Sequence, residues 1–87
     1  MYYVYIAYNP QNQITHIGLT LDMKRRLKLL CINTSQSCRI VYYEEYDDSK
    51  IADRRETELL QMPKELIAEL VREYNPMLID LLKTDIN

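Results

Sequence analysis

The run YYVYIAYNPQNQITHIGLT, residues 2–20, constrains the fold of this chain more than any other feature. Residues 2–8 are aromatic and β-branched, the types that fit a pleated, half-buried surface. NPQNQ carries turn chemistry, and residues 14–20 return to a strand-like pattern, so the two runs pair as a hairpin. Eighty-seven residues make one domain, 1–87, with chain enough for a modest core and no second one.

Beyond the hairpin the chain reads as helix, strand, helix, helix. Thr20 can cap a helix running to about Cys31, with Asp22 in its first turn complementing the dipole. INTSQS reads as a polar loop, and RIVYYEEY at 39–46 as a third strand. Asp48 or Ser49 starts a helix reaching about Gln61, and Pro63 suits the first turn of another. Asn75-Pro76 ends that helix and leaves room for a short C-terminal one. The fold class is therefore α/β (α+β), in the order β-β-α-β-α-α.

Several function classes are excluded early. No run approaches the roughly 20 apolar residues of a membrane span. The N-terminus lacks a basic start and a cleavage site, so the expected setting is cytoplasmic and Cys31 and Cys38 are expected as thiols. Two cysteines seven apart with no nearby histidine pair make a poor zinc site. A single glycine excludes a Gly-rich phosphate loop, and no organic cofactor is expected. The net charge of −2 hides an asymmetry: residues 1–40 carry five Lys/Arg against one acid, and residues 41–87 six against twelve. Global charge gives no nucleic-acid footprint, but Lys24, Arg25, Arg26 and Lys28 form a local basic run that could contact phosphates.

Periodicity singles out the polar residues that could converge. Tyr3, Tyr5 and Ala7 share one face of the first strand, Val4 and Ile6 the other. In the second strand Ile17 and Leu19 oppose His16 and Gly18. If the aliphatic sets line one core face, Tyr5 and His16 emerge together, as direct or diagonal neighbours, and Gly18 lets another group approach closely. On the first helix Met23, Leu27 and Leu30 form the inward stripe, with Arg26 at its edge and Lys24, Arg25 and Lys28 pointing away. On the next, Ala52, Leu59 and Leu60 face inward with Glu56 between them. A half-buried guanidinium needs an anion, and a half-buried carboxylate needs a partner, a proton or a cation. An Arg26–Glu56 ion pair is one solution; a functional site is the other. A histidine on a half-exposed strand, and tyrosines that supply every aromatic in the chain, are ordinarily structural. Leu66, Ile67, Leu70, Val71 and Tyr74 read as core.

The residues so selected resemble the GIY-YIG nuclease family in its small stand-alone bacterial form. The resemblance runs through YVY at Tyr3–Tyr5, HIG at His16–Gly18, LTLDMKRRL at 19–27, IVYYEEYDD at 40–48, ADRRETEL at 52–59 and NP at Asn75-Pro76. It covers nearly the whole chain, in order, with gaps of the right size. It implies a three-stranded antiparallel sheet flanked by helices. It also implies divalent-metal-dependent cleavage of DNA phosphodiesters, as in phage homing endonucleases and the nuclease domain of a bacterial excision-repair protein.

By that resemblance Tyr5 takes the place of the first motif's tyrosine, Arg26 of the catalytic arginine, Glu56 of the metal-binding glutamate, and Asn75 of an asparagine near the active site. His16 stands where the second motif's tyrosine usually sits, and Leu30 where the family commonly has His or Tyr. An imidazole can accept a proton near pH 7, so the first exchange is chemically tolerable. Leucine can neither hold a water nor contact a phosphate oxygen. Asn75 before proline is equally a ready helix cap. The implied metal is Mg2+, with Mn2+ as a substitute, and the implied partner is DNA. A non-cleaving member that binds nucleic acid or a protein is the alternative reading.

Overall fold

The computed structural model describes residues 1–10, 14–34 and 38–82, with the side chains of Ile14 and of residues 30–34 excepted. Three strands, β1 (Tyr2–Asn9), β2 (Ile14–Thr20) and β3 (Arg39–Tyr46), form an antiparallel sheet in the order β2-β1-β3. Three helices complete the domain: α1 (Met23–Thr34), α2 (Ser49–Gln61) and α3 (Lys64–Tyr74). The mixed α/β class and the element order are those read from the sequence.

The most hydrophobic strand is central. Val4, Tyr5, Ile6 and Ala7 of β1 are all buried, because the two faces of the sheet carry separate cores. On one face Val4 and Ile6 pack with Val41, Ala52, Leu59, Ile67 and Val71, so α2 and α3 cover it. On the other, Tyr5 and Ala7 pack with Met23, Ile40 and Leu82, and Leu27 joins them, so α1 and the C-terminal segment cover it. A sheet covered on both sides explains why β1 reads as a continuous apolar run rather than a strict alternation.

A β-bulge re-aims β3. Ile6 pairs with Tyr42 and Ala7 with Ile40, which leaves Val41 as the extra residue. Ile40 therefore faces α1, whereas Val41 and Tyr42 both face α2 and α3. The displaced Val41 carbonyl accepts a hydrogen bond from Asn75 Nδ2 at 3.0 Å, tying the end of α3 to the sheet.

The helix boundaries correct several expectations. Asp22, not Thr20, caps α1: its Oδ1 accepts from the Arg25 N–H at 3.1 Å, while the Thr20 hydroxyl oxygen accepts from the Asp22 N–H. The helix continues to Thr34, through residues expected as loop. Asp48 caps α2, accepting from the Lys50 N–H at 2.7 Å. Pro63 lies just before α3 rather than inside it. Residues 75–82 form turns and extended chain with Leu78 at φ 52°, so no short final helix follows among the described residues. Leu60, expected inside, is 59% exposed, and Leu66 and Tyr74 are also exposed; the α3 stripe narrows to Ile67, Leu70 and Val71. The Leu30 and Cys31 side chains lie outside the described residues, and Cys38 is half-buried.

Candidate active site

Tyr5 is the centre from which the site is built. It pairs with Gly18 on β2 and with Tyr43 on β3. Its ring lies over Gly18, where a Cβ would come within 2.6 Å of the ring Cζ and would meet the hydroxyl oxygen still more closely. The only glycine of the chain thus makes the space this tyrosine occupies. The ring thus carries its hydroxyl over β2, an edge strand of the sheet. Tyr5 itself is 1% exposed.

His16 pairs with Ala7, one step diagonal from Tyr5. The two rings are tilted at 36° with centroids 6.3 Å apart, and the imidazole is exposed. On α1, Arg26 is half-buried while Lys24, Arg25 and Lys28 face solvent, as the helical spacing predicts. On α2, Glu56 is half-buried between the inward Ala52 and Leu59.

Arg26 and Glu56 both act on Tyr5. Burial pushes the Tyr5 phenol above its ordinary 10.0; the Arg26 charge partly offsets this, and the Glu56 charge adds to it. The charges of Arg26 on α1 and Glu56 on α2 thus bear on the Tyr5 phenol in opposite directions. No ion pair joins Arg26 to Glu56, and neither has one with another described residue. The Arg26–Glu56 bridge open to the sequence is not made.

The half-buried ion pair of α2 is instead Arg55 with Glu44. Arg55 Nε donates to Glu44 Oε1 at 2.9 Å and Nη2 to Oε2 at 3.1 Å. The Tyr46 hydroxyl donates to Oε1 at 2.6 Å and the Tyr42 hydroxyl to Oε2. Burial would raise the Glu44 pKa, but these donors outweigh it and hold the carboxyl below its ordinary 4.5. Sequence reasoning missed this cluster. Its signal was the alternation Tyr42, Glu44, Tyr46, which puts a carboxylate between two hydroxyls on one strand face.

Asn75 is not brought to Tyr5 by any contact it makes. It is buried, its Nδ2 donates to the carbonyls of Val41 and Ile79, and its Oδ1 accepts from the Ile79 N–H. A groove of about 660 Å³, lined by Tyr8, Val41, Lys64, Ile67, Val71 and Arg72, lies on the α3 side of the sheet and contains none of Tyr5, His16, Arg26 and Glu56.

Glu56 suits a hard divalent cation as a lone ligand. Its oxygens hold no hydrogen-bond or ion-pair partner among the described residues. Among those residues no three His, Cys, Asp or Glu side chains cluster as a metal cage. One carboxylate fits an ion that keeps most of its waters, as magnesium does.

No curated protein and no solved structure matches the chain. Residues 1–67 match the family described as GIY-YIG catalytic domain, a span that holds Tyr5, His16, Arg26 and Glu56 and stops short of Asn75. With the match covering most of its length, the chain belongs to the GIY-YIG nuclease family.

Proposed function

We propose that the protein is an endonuclease that hydrolyses DNA phosphodiester bonds with the help of a divalent metal ion. The observation that carries this reading is that Arg26 on α1 and Glu56 on α2, from opposite faces of the sheet and without an ion pair to any described residue, both bear on the Tyr5 phenol. Charges with no ion-pair partner among the described residues stabilise little by themselves, and these two suit a substrate with a phosphate for the one and a metal ion for the other.

Each residue then has a task. Glu56 holds the ion, magnesium or manganese, which when bound supplies Lewis-acid stabilisation of the phosphate and water of lowered pKa. Arg26 offers its fork to the non-bridging phosphate oxygens, where negative charge grows as water attacks phosphorus and the bridging P–O bond breaks. The raised pKa of Tyr5 keeps its hydroxyl protonated at neutral pH, so it acts as a hydrogen-bond donor that orients the water or a phosphate oxygen. His16, exposed beside that ring, is the side chain suited to take the water's proton. Lys24, Arg25 and Lys28, turned to solvent on the same helix as Arg26, extend the contact along the DNA backbone. Asn75 is assigned to the scaffold.

The second reading, a non-cleaving nucleic-acid or protein binder, is favoured by His16 and Leu30 at positions where relatives commonly carry other residues. Plasmid nicking in magnesium or manganese, comparing the native chain with Arg26→Ala, separates the two. Nicking by the native chain and its loss in the variant support the endonuclease. DNA binding with no nicking at any metal concentration supports the binder.

A further inference from the structure

The densest polar cluster outside the Tyr5 site is the carboxylate of Glu44 with its four donors, two from Arg55 and one each from Tyr42 and Tyr46. The Glu44 and Arg55 side chains are 17% and 24% exposed, so both are largely withdrawn from water. A forked guanidinium on a carboxylate fixes direction as well as distance. Arg55 extends further to Glu58 at 3.4 Å, which steadies the fork on its own helix.

The residue after Arg55 is Glu56. At about 100° per residue, the inward line of α2 runs through Ala52 and Leu59, and Arg55 and Glu56 fall about 50° to either side of it. One flank is pinned to β3 through Glu44; the other presents Glu56 toward Tyr5. A fork fixed in both direction and distance does not tolerate a roll of the helix. A roll of about 20° moves a group at a radius of about 6 Å by about 2 Å, the full length of a magnesium–oxygen bond.

We infer that the Glu44–Arg55 fork is a positioning device for Glu56: it sets the roll of α2 so that the Glu56 carboxylate faces Tyr5 and Arg26 at the distance a divalent ion and a phosphate require. This rests on the endonuclease reading of the site. Arg55 and Glu44 touch neither substrate nor metal in this arrangement and act through Glu56. The competing account is that the fork only stabilises the fold. Ion pairs of this kind can often be replaced by apolar residues at no loss of stability, so the two accounts can be separated.

The test uses the full chain with its tyrosines labelled in the ring, and reads paramagnetic broadening of the Tyr5 signal by Mn2+ in the presence of a short duplex DNA. The native chain and Glu56→Gln establish that the ion sits at Glu56. The double variant Glu44→Met with Arg55→Met replaces the fork by apolar volume, and Arg55→Lys keeps the charge but removes the fork. Thermal melting reports stability in parallel. The expected result is that variants melting like the native chain need about 10- to 100-fold more Mn2+ for equal broadening, the usual effect of losing an outer-shell support. Should the double variant fail to fold, Arg55→Lys carries the same expectation. Unchanged Mn2+ dependence in a folded fork variant, with broadening still abolished by Glu56→Gln, overturns the positioning role and leaves the endonuclease reading standing. Broadening that Glu56→Gln does not alter overturns the metal role of Glu56, and the positioning role falls with it.

Discussion

The ring of Tyr5 lies over the backbone of Gly18, its register partner on β2, in space that any side chain at position 18 would take. Gly18→Ala would therefore move the ring, because Tyr5 is buried on its other side among Ala7, Met23 and Ile40. Overpacking of this kind costs about 1–3 kcal/mol, which a melting curve would show. The hydroxyl would be displaced by about 1 Å or more, and the expected loss of nicking is about 100-fold. Activity that survives Gly18→Ala would remove Tyr5 from the chemistry.

The opposed charges around Tyr5 give a test that needs neither DNA nor metal. Replacing Arg26 with Met removes the cation that lowers the Tyr5 pKa, so the phenol should titrate at higher pH than in the native chain. Glu56→Gln removes the anion that raises it, so the same phenol should titrate at lower pH. Nuclear magnetic resonance of labelled tyrosine rings resolves Tyr5 from the other seven. Shifts of the same sign in the two variants would show that Arg26 and Glu56 do not both act on this hydroxyl.

The Glu44 cluster makes stability depend on pH at both ends of the scale. Glu44 has a folded pKa below 4.5 in spite of its burial, so its contribution is present above pH 4.5 and is lost as pH falls through the folded value. Burial and the bond to Glu44 raise the phenols of Tyr42 and Tyr46 above 10.0. Their contribution is complete below pH 10.0 and is lost as pH rises through the folded values. Denaturant unfolding across pH should show Glu44→Gln flattening the acid limb and Tyr42→Phe flattening the alkaline one. An acid limb unchanged by Glu44→Gln would mean that other carboxylates carry it.

Local patterns revealed much of this molecule and tertiary choices hid the rest. The faces of Tyr5, His16 and Arg26 followed from periods of two and 3.6 because short elements seldom break their own geometry. The β-bulge at Val41 was invisible, since RIVYYEEY contains no glycine or proline to mark an interruption. Leu60 and Leu66 fit an apolar stripe, but so small a domain leaves part of each helix face uncovered. That Arg55 makes an ion pair at all depended on Glu44, which sits on a strand rather than on its own helix. Pattern within a segment carries no information about such a pairing.

Asn75 is 6% exposed, and its side chain is spent on the backbone. Both of its amide hydrogens are used, on Val41 at 3.0 Å and Ile79 at 2.8 Å, and its oxygen accepts from the Ile79 N–H at 3.0 Å. A side chain so engaged has no donor left for a phosphate. Asn75→Ala would strand the bulged Val41 carbonyl and both backbone groups of Ile79, costing about 2–3 kcal/mol at roughly 1 kcal/mol for each bond. Asn75→Asp should cost more, because a carboxylate would then face two carbonyl oxygens. Denaturant unfolding gives both values. At a temperature where the Ala variant remains folded, its nicking rate per molecule should lie within about two-fold of the native rate, since no transition-state contact has been removed. A large loss of nicking with stability unchanged would reverse the assignment and place Asn75 in the site.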